Sequence, residues 1–236
     1  MVNIKDLWAG YDHTPILKGI SLDIKQGDIV GILGPNGSGK TTLALTLLGF
    51  TNIIKGYITI DEKPFSPKLG TTYISLLMQV PDNMLFARTV YEEVALAPYK
   101  NHIRGEKLKE TVKTLLREVG MLHKIDSPIH SLSYGEKKKV AMAVLMSMNK
   151  PYIILDEPFA GLDLSGRKDM KRIIKKMKSN GKGIMLISHD VYSLTLADKV
   201  FVLHDGTIVK SFFKEEFKNI LPELPQWNLW VAGREL

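Results

Sequence analysis

Three groups of residues in this chain have the types and spacing for phosphate chemistry. The first is Gly34-Pro35-Asn36-Gly37-Ser38-Gly39-Lys40-Thr41-Thr42, which fits the pattern G-x-x-x-x-G-K-[ST]. Such a loop, with Asn36, Gly37, Ser38 and Gly39 at its turn, points backbone N–H groups at an anion. The helix dipole behind it favours the negative charge. Lys40 is expected to reach the β- and γ-phosphates of a nucleotide, and the Thr41 hydroxyl to bind Mg²⁺. The second group is Asp156-Glu157, delivered by the apolar run Tyr152-Ile153-Ile154-Leu155. Asp156 suits a Mg²⁺ shell and Glu157 suits a general base that polarises water. Alone, such a pair also reads as a capping turn; beside a phosphate loop it reads as chemistry. The third is Leu132-Ser133-Tyr134-Gly135-Glu136, ahead of a long helix. Ser133 or Ser131 would cap that helix, with Glu136 completing Ser-x-x-Glu. A capped helix start is also an anion site. Gln79 and His189 each end an apolar run, where a parallel sheet would bring them near a γ-phosphate. In isolation Gln79 reads as a loop glutamine and His189 as an ordinary turn histidine.

These groups need a sheet to bring them together. Asp28 to Leu33 is short, apolar and β-branched, so it predicts a buried strand, followed by a helix over Thr42 to Leu48. Further strands are expected at Val2–Leu7, Ile20–Ile24, Tyr57–Ile60, Thr72–Met78, Tyr152–Leu155 and Gly183–Ile187. A hairpin is expected after Val200–Leu203, with Asp205-Gly206 as its turn. Between Thr89 and Met148 the reading is mostly helical: Val90–Ala97, Glu106–Val119 and Glu136–Met148, punctuated by Pro98, Gly105, Gly120 and Pro128. Strands alternating with helices imply an α/β fold with a largely parallel sheet. The segment from Phe212 onward is a short amphipathic stretch whose Trp227 and Trp230 read as packing anchors.

The bulk properties narrow the classes. A chain of 236 residues, 44% hydrophobic, fits one sizeable domain with at most a small subdomain. The absence of cysteine excludes disulfides, thiolate metal sites and cysteine nucleophiles. The start, Met1 to Asp6, does not read as a signal peptide, and no apolar run approaches a membrane span. A soluble chain is therefore expected, with any membrane role coming through a partner. Residues 167–182 hold eight basic residues against Asp169 alone, which accounts for the whole net charge of +7. That run reads first as a solvated helix face, with Met170, Ile173, Ile174 and Met177 buried opposite, and second as a nucleic-acid or acidic-lipid surface.

The order of these pieces resembles the ATP-binding-cassette ATPases over about residues 1–212. In those terms Gly34 to Thr41 is the Walker A loop, Gln79 the Q-loop glutamine, and Leu132 to Glu136 the signature segment. Asp156 and Glu157 close the Walker B strand, Ala160-Gly161-Leu162-Asp163 matches the D-loop, and His189 is the switch histidine. Tyr11, in Gly10-Tyr11-Asp12, stands where an aromatic ring stacks on adenine. The usual signature is Leu-Ser-Gly-Gly-Gln, and Tyr134 and Glu136 depart from it. The resemblance implies a P-loop NTPase core, RecA-like, with an N-terminal antiparallel β-subdomain, a helical subdomain inserted at about 87–150, and a short extension over 213–236. It implies ATP and Mg²⁺ as ligands, the metal held by Thr41, Asp156 and Gln79. It implies hydrolysis with Glu157, His189 and Gln79 as catalytic residues. It further implies head-to-tail closure of two cassettes, so that Ser133 and Gly135 serve the partner's nucleotide, with Asp163 also counted among the nucleotide-binding residues.

The run Gln79-Val80-Pro81-Asp82-Asn83-Met84-Leu85-Phe86, continuing to Thr89-Val90-Tyr91-Glu92-Glu93-Val94-Ala95, is similar to the pattern of the energy-coupling-factor ATPases. Val80 and Met84 depart from that pattern. Those ATPases drive uptake of vitamins, cobalt or nickel. The resemblance implies a second ATPase subunit, a membrane coupling protein docking near Gln79 to Phe86, a substrate-binding membrane component, and a place at the cytoplasmic face of the membrane. The bland reading of Met84, Leu85 and Phe86 is packing of the helical insertion. Two alternatives stay open: another importer or exporter of the superfamily, or a soluble cassette protein acting on nucleic acid through the basic helix. One cassette and a modest insertion argue against the latter, and no nucleic acid is expected.

Overall fold

The computed structural model describes residues 1–12 and 14–229. Strands β1 (Val2–Tyr11) and β2 (Thr14–Ile24) open the chain, and β3 (Ile29–Leu33) leads through the glycine loop into α1 (Lys40–Leu47). Then follow β4 (Asn52–Ile60), β5 (Lys63–Pro64), α2 (Pro67–Tyr73) and β6 (Ile74–Leu77). A 3-10 turn at Pro81–Asn83 precedes the helices α3 (Val90–Lys100), α4 (Gly105–Glu118) and α5 (Tyr134–Met148). The chain returns through β7 (Tyr152–Asp156), α6 (Leu164–Ser179), β8 (Gly183–Ser188), β9 (Lys199–His204), β10 (Thr207–Phe213) and the short α7 (Phe217–Ile220).

Two sheets result. One is antiparallel, in the order β2-β1-β4-β5; the other has six strands in the order β10-β9-β3-β8-β7-β6, parallel except for the β9–β10 hairpin. A parallel sheet covered on both faces needs strands that are apolar throughout, and β3, β7 and β8 are buried at every position. Alternation along each strand then divides the residues between two cores. Ile29, Leu33, Ile153, Leu155, Ile184 and Leu186 face the core shared with the helices α3–α6. Val30, Ile32, Ile154, Met185 and Ile187 face the core beneath α1 and the antiparallel sheet. Three strands therefore end side by side, β3 into the phosphate loop, β7 at Asp156-Glu157 and β8 before His189.

Several boundaries differ from the sequence expectation. Thr72 and Tyr73 are not strand but the last turn of α2, a helix the strand pattern hid. Its signal was Ser66-Pro67: the Ser66 Oγ accepts from Leu69 N–H at 3.2 Å, and proline suits a first helical position. Helix α1 starts at Lys40, two residues before Thr42, and α3 runs through Pro98 to Lys100, where the missing N–H falls in the final turn. β1, β2 and β4 are longer than their apolar stretches because pairing across the antiparallel sheet carries them on. The Asp205-Gly206 turn forms as expected, both residues at positive φ, 47° and 78°. Glycine is required there, since a Cβ on Gly206 would lie 1.8 Å from the Ile16 carbonyl oxygen. Beyond β10, Ile220, Leu224 and Leu229 are buried in the helix-side core with Trp227 packed against it; Trp230 lies outside the described residues.

Candidate nucleotide site

The phosphate loop folds as its glycines allow. Gly37 and Gly39 take φ of 81° and 104°, a region L side chains rarely adopt. Gly34 is glycine for space: a Cβ there would stand 2.5 Å from the Ser38 Oγ behind the loop. Gly39 is the N-cap of α1, and no side chain caps that helix. Its first N–H groups therefore face a cavity of about 360 Å³ lined by Asn36, Gly37, Gly39, Lys40, Thr41, Thr42, Gln79, Asp156, Glu157 and His189, with Ile16 closing one side. Lys40 Nζ donates to the carbonyls of Gly34 and Pro35, both at 2.8 Å, which pins the ammonium inside the loop.

The acidic end of β7 meets this loop. Thr41 Oγ1 donates to Asp156 Oδ2 at 3.1 Å. Burial raises the Asp156 carboxyl above its usual range, against the pull of the Thr41 hydroxyl. Burial also lowers the Lys40 ammonium, with Glu157 and Asp156 pulling it back. Both directions say that unneutralised charge is penalised in this pocket. A hydroxyl and a carboxylate side by side are hard oxygen donors, and beside an uncapped helix terminus and a buried lysine they fit a magnesium–polyphosphate pair.

Glu157 is held tightly. Its Oε1 accepts the His189 backbone N–H at 2.7 Å and stands 2.6 Å from His189 Nδ1; its Oε2 accepts the Ser188 hydroxyl at 3.0 Å. Its backbone sits in the left-handed region, φ 49°. Ser188 escaped the sequence reading, although it directly precedes His189. So did Lys138, fully buried on α5, whose Nζ donates to the Glu157 and Ala160 carbonyls at 2.7 Å. Burial lowers Lys138 to about 8. Its signal was helical phase, since Lys138, Met142 and Leu145 share one buried face.

The remaining candidates lie elsewhere. Ser133, Gly135 and Asp163 line a separate cavity of about 310 Å³ together with Glu136, Lys139 and Gly161. Ser133, not Ser131, is the N-cap of α5. The capping box is complete, with the Glu136 N–H on Ser133 Oγ at 3.3 Å and the Ser133 N–H on Glu136 Oε2 at 2.8 Å. Asp163 caps α6 by accepting the Gly166 N–H at 2.7 Å. Tyr134 Oη donates to the Gln79 carbonyl at 2.9 Å, joining this segment to the Gln79 loop. Tyr11 is exposed at the β1–β2 hairpin and is not among the residues lining the first cavity.

A third hollow, of about 550 Å³, lies between α2, α3 and α5 and is lined by Met84, Phe86, Leu96, Ala97, Val144 and Met148 among others. Its rim is built, not loose. Buried Glu93 accepts the N–H groups of Phe86 and Ala87 at 2.7 and 2.6 Å, and Thr89 and Glu92 form a capping box at the start of α3. Four of the eight basic residues over 167–182 pair with acidic groups of the same chain among the described residues. Arg167 pairs with Asp190, Arg172 with Asp169, Lys176 with Glu118 and Lys178 with Asp198. Among the described residues no helix is long and apolar enough to cross a membrane.

The chain and its fold are similar to those of known proteins. Residues 17–160 match the family described as ABC transporter. The chain is 38% identical over 236 residues to the energy-coupling factor transporter ATP-binding protein EcfA of Methanocaldococcus jannaschii, covering 97% of this chain and 85% of that one. It is 35% identical to EcfA3, an energy-coupling factor transporter ATP-binding protein of Clostridium perfringens, over 89% and 76% of the two chains. Its fold is similar to that of cbiO1 from Clostridium perfringens, described as part of the ABC transporter complex cbiONQ. That comparison gives a TM-score of 0.84 and 31% identity, over 95% of this chain and 96% of that one.

Proposed function

Because this chain belongs to the ABC transporter family of ATP-hydrolysing cassettes, we propose that it powers an energy-coupling-factor type uptake assembly at the cytoplasmic face of the membrane. Residues 1–212 form the cassette, with the helical insertion at about 87–150, and 213–236 form a short extension. The observation that carries the reading is the division of the site residues between two cavities. Lys40, Thr41, Asp156, Glu157, Gln79 and His189 share one; Ser133, Gly135 and Asp163 share the other. Neither cavity holds a whole site, so two copies, or this chain and a relative, closing head to tail would bring the halves together around ATP.

In the closed pair Lys40 and the loop N–H groups bind the phosphates. Thr41, Asp156 and Gln79 would hold Mg²⁺, which would offset the charge on the phosphate oxygens. Glu157 accepts a proton from the attacking water, and His189 fixes the carboxylate and contacts the γ-phosphate. Ser133 and the helix start behind it complete the partner's phosphate shell, Ser133 through the proton its hydroxyl still has free. The hollow beside Phe86 and Leu96 receives a segment of the membrane coupling protein, which works with a substrate-binding membrane component. The similarity to EcfA and the run Gln79 to Ala95 support the energy-coupling type, whose cargo is a vitamin or a transition metal ion.

The composite site is tested by mixing subunits. K40A alone and S133A alone are expected to trap no ATP, whereas their mixture regains one intact site and traps it. A mixture no better than either variant would overturn the pairing. The transport reading is tested in proteoliposomes holding the membrane proteins that co-purify with the chain: uptake must require ATP and be lost in E157Q.

A further inference from the structure

Lys138 is fully buried, and nothing in nucleotide binding calls for it. A buried ammonium is costly, and an apolar side chain of the same shape would fill the space with less penalty. What the lysine does is donate. Its Nζ reaches the carbonyl oxygens of Glu157 and Ala160, each at 2.7 Å. Those are the first and fourth residues of a turn closed by the Ala160 N–H on the Glu157 carbonyl at 3.2 Å. The Tyr134 ring, one helical turn earlier on α5, covers the ammonium, its centroid 5.1 Å from Nζ. On the other side of Glu157 the backbone N–H donates to the Ile187 carbonyl at 3.1 Å. Glu157 is thus held at both ends of its main chain, in a left-handed conformation that L side chains rarely adopt.

We propose that Lys138 is the positioning residue for Glu157, clamping the Glu157–Ala160 turn so that the carboxylate leaves the backbone in one direction. The inference rests on the reading of Glu157 as the general base. Its consequence is mechanical. Lys138 sits on the helix whose N-cap is Ser133, so the turn carrying the base and the segment offered to the partner are joined by two hydrogen bonds. A carboxylate displaced by a fraction of its length loses alignment with the water it must deprotonate, while the phosphate loop that binds ATP is untouched.

Steady-state hydrolysis and ATP affinity of K138M test this, with E157Q as the reference. The K138M variant is expected to bind ATP within about threefold of wild type and to lose about tenfold or more in kcat with KM little changed. If K138M does not fold, K138Q carries the same test, since its shorter amide cannot span both carbonyls. Wild-type kcat in either folded variant, or a loss confined to KM, overturns the proposal. If E157Q itself still turns over, it is the base reading that fails. If E157Q is inactive while the Lys138 variants are fully active, the positioning role alone fails.

Discussion

His189 and Glu157 are joined twice through one oxygen: Glu157 Oε1 accepts the His189 backbone N–H at 2.7 Å and lies 2.6 Å from its Nδ1. The second oxygen takes the Ser188 hydroxyl at 3.0 Å. A carboxylate with partners on both oxygens has one orientation, and the residues that set it are consecutive, Ser188 ending the strand next to β7 and His189 just beyond it.

The first prediction separates these partners. His189→Ala is expected to lower the hydrolysis rate by about 100-fold with ATP affinity unchanged, as for loss of a group acting at the reacting atoms. Ser188→Ala removes a hydroxyl that donates to the Glu157 carboxylate, about 1.5 kcal/mol for a charged acceptor, and that accepts the Asp190 N–H; with Oε1 still held by His189 it is expected to cost only about tenfold. Single-turnover rates on both variants decide it; equal effects would mean that the pair acts only as structure.

The second concerns pH. Hydrogen bonding from the Ser133 backbone N–H holds the Glu136 carboxyl below its ordinary value of 4.5. A carboxyl depressed in the folded state stabilises above its unfolded value, and that stabilisation is lost as pH falls through the folded value. The neutral amide of E136Q keeps the cap but does not titrate. The melting-temperature advantage of wild type over E136Q is therefore expected at neutral pH and to shrink between about pH 5 and about pH 3. A pH-independent difference would rule out this linkage.

The third is a double-mutant cycle. A Cβ on Gly161 would lie 2.7 Å from Tyr134 Cε1, at a φ of 71°. Gly161→Ala is expected to cost about 1–2 kcal/mol from the backbone conformation alone, and more from the clash with the ring. In the double variant with Tyr134→Ser the clash term disappears and the backbone term stays, giving a coupling of about 0.5–3 kcal/mol by denaturant unfolding. Strict additivity would mean that the ring simply swings aside.

The fourth addresses docking. Phe86 is 79% exposed on the rim of the α2–α3–α5 hollow, while its N–H is fixed by Glu93. Phe86→Asp is expected to leave the unfolding free energy within about 0.5 kcal/mol of wild type and the intrinsic ATPase rate unchanged, while abolishing co-purification with the membrane subunit. Intact co-purification would move the docking surface elsewhere.

Much of the machinery was legible locally. A phosphate loop is a run of neighbours whose glycines must take positive φ, so its pattern carries its conformation. The same holds for the Asp205-Gly206 turn and for the Ser133–Glu136 capping box, whose hydrogen bonds span three residues. Strands β3, β7 and β8 announced themselves by unbroken apolar chemistry. Helix α2 did not, because Thr71-Thr72-Tyr73 is β-type by composition and only the Ser66-Pro67 start overrides it.

What the amino-acid sequence determined by itself, then, was which groups carry the chemistry: the loop with Lys40 and Thr41, and the acids Asp156 and Glu157. Only the tertiary structure decided how they are shared out. It turned Ile16 rather than Tyr11 into the first cavity's wall, and buried Lys138 beneath Glu157. It also set Ser133, Gly135 and Asp163 in a cavity apart from Lys40. The physical reason is range. Caps, turns and glycine loops are settled by bonds between near neighbours. Which strand lies beside which, and which side chains therefore meet, is settled by burial of both faces of a sheet whose adjacent strands, β3 and β8, lie some 150 positions apart in the chain.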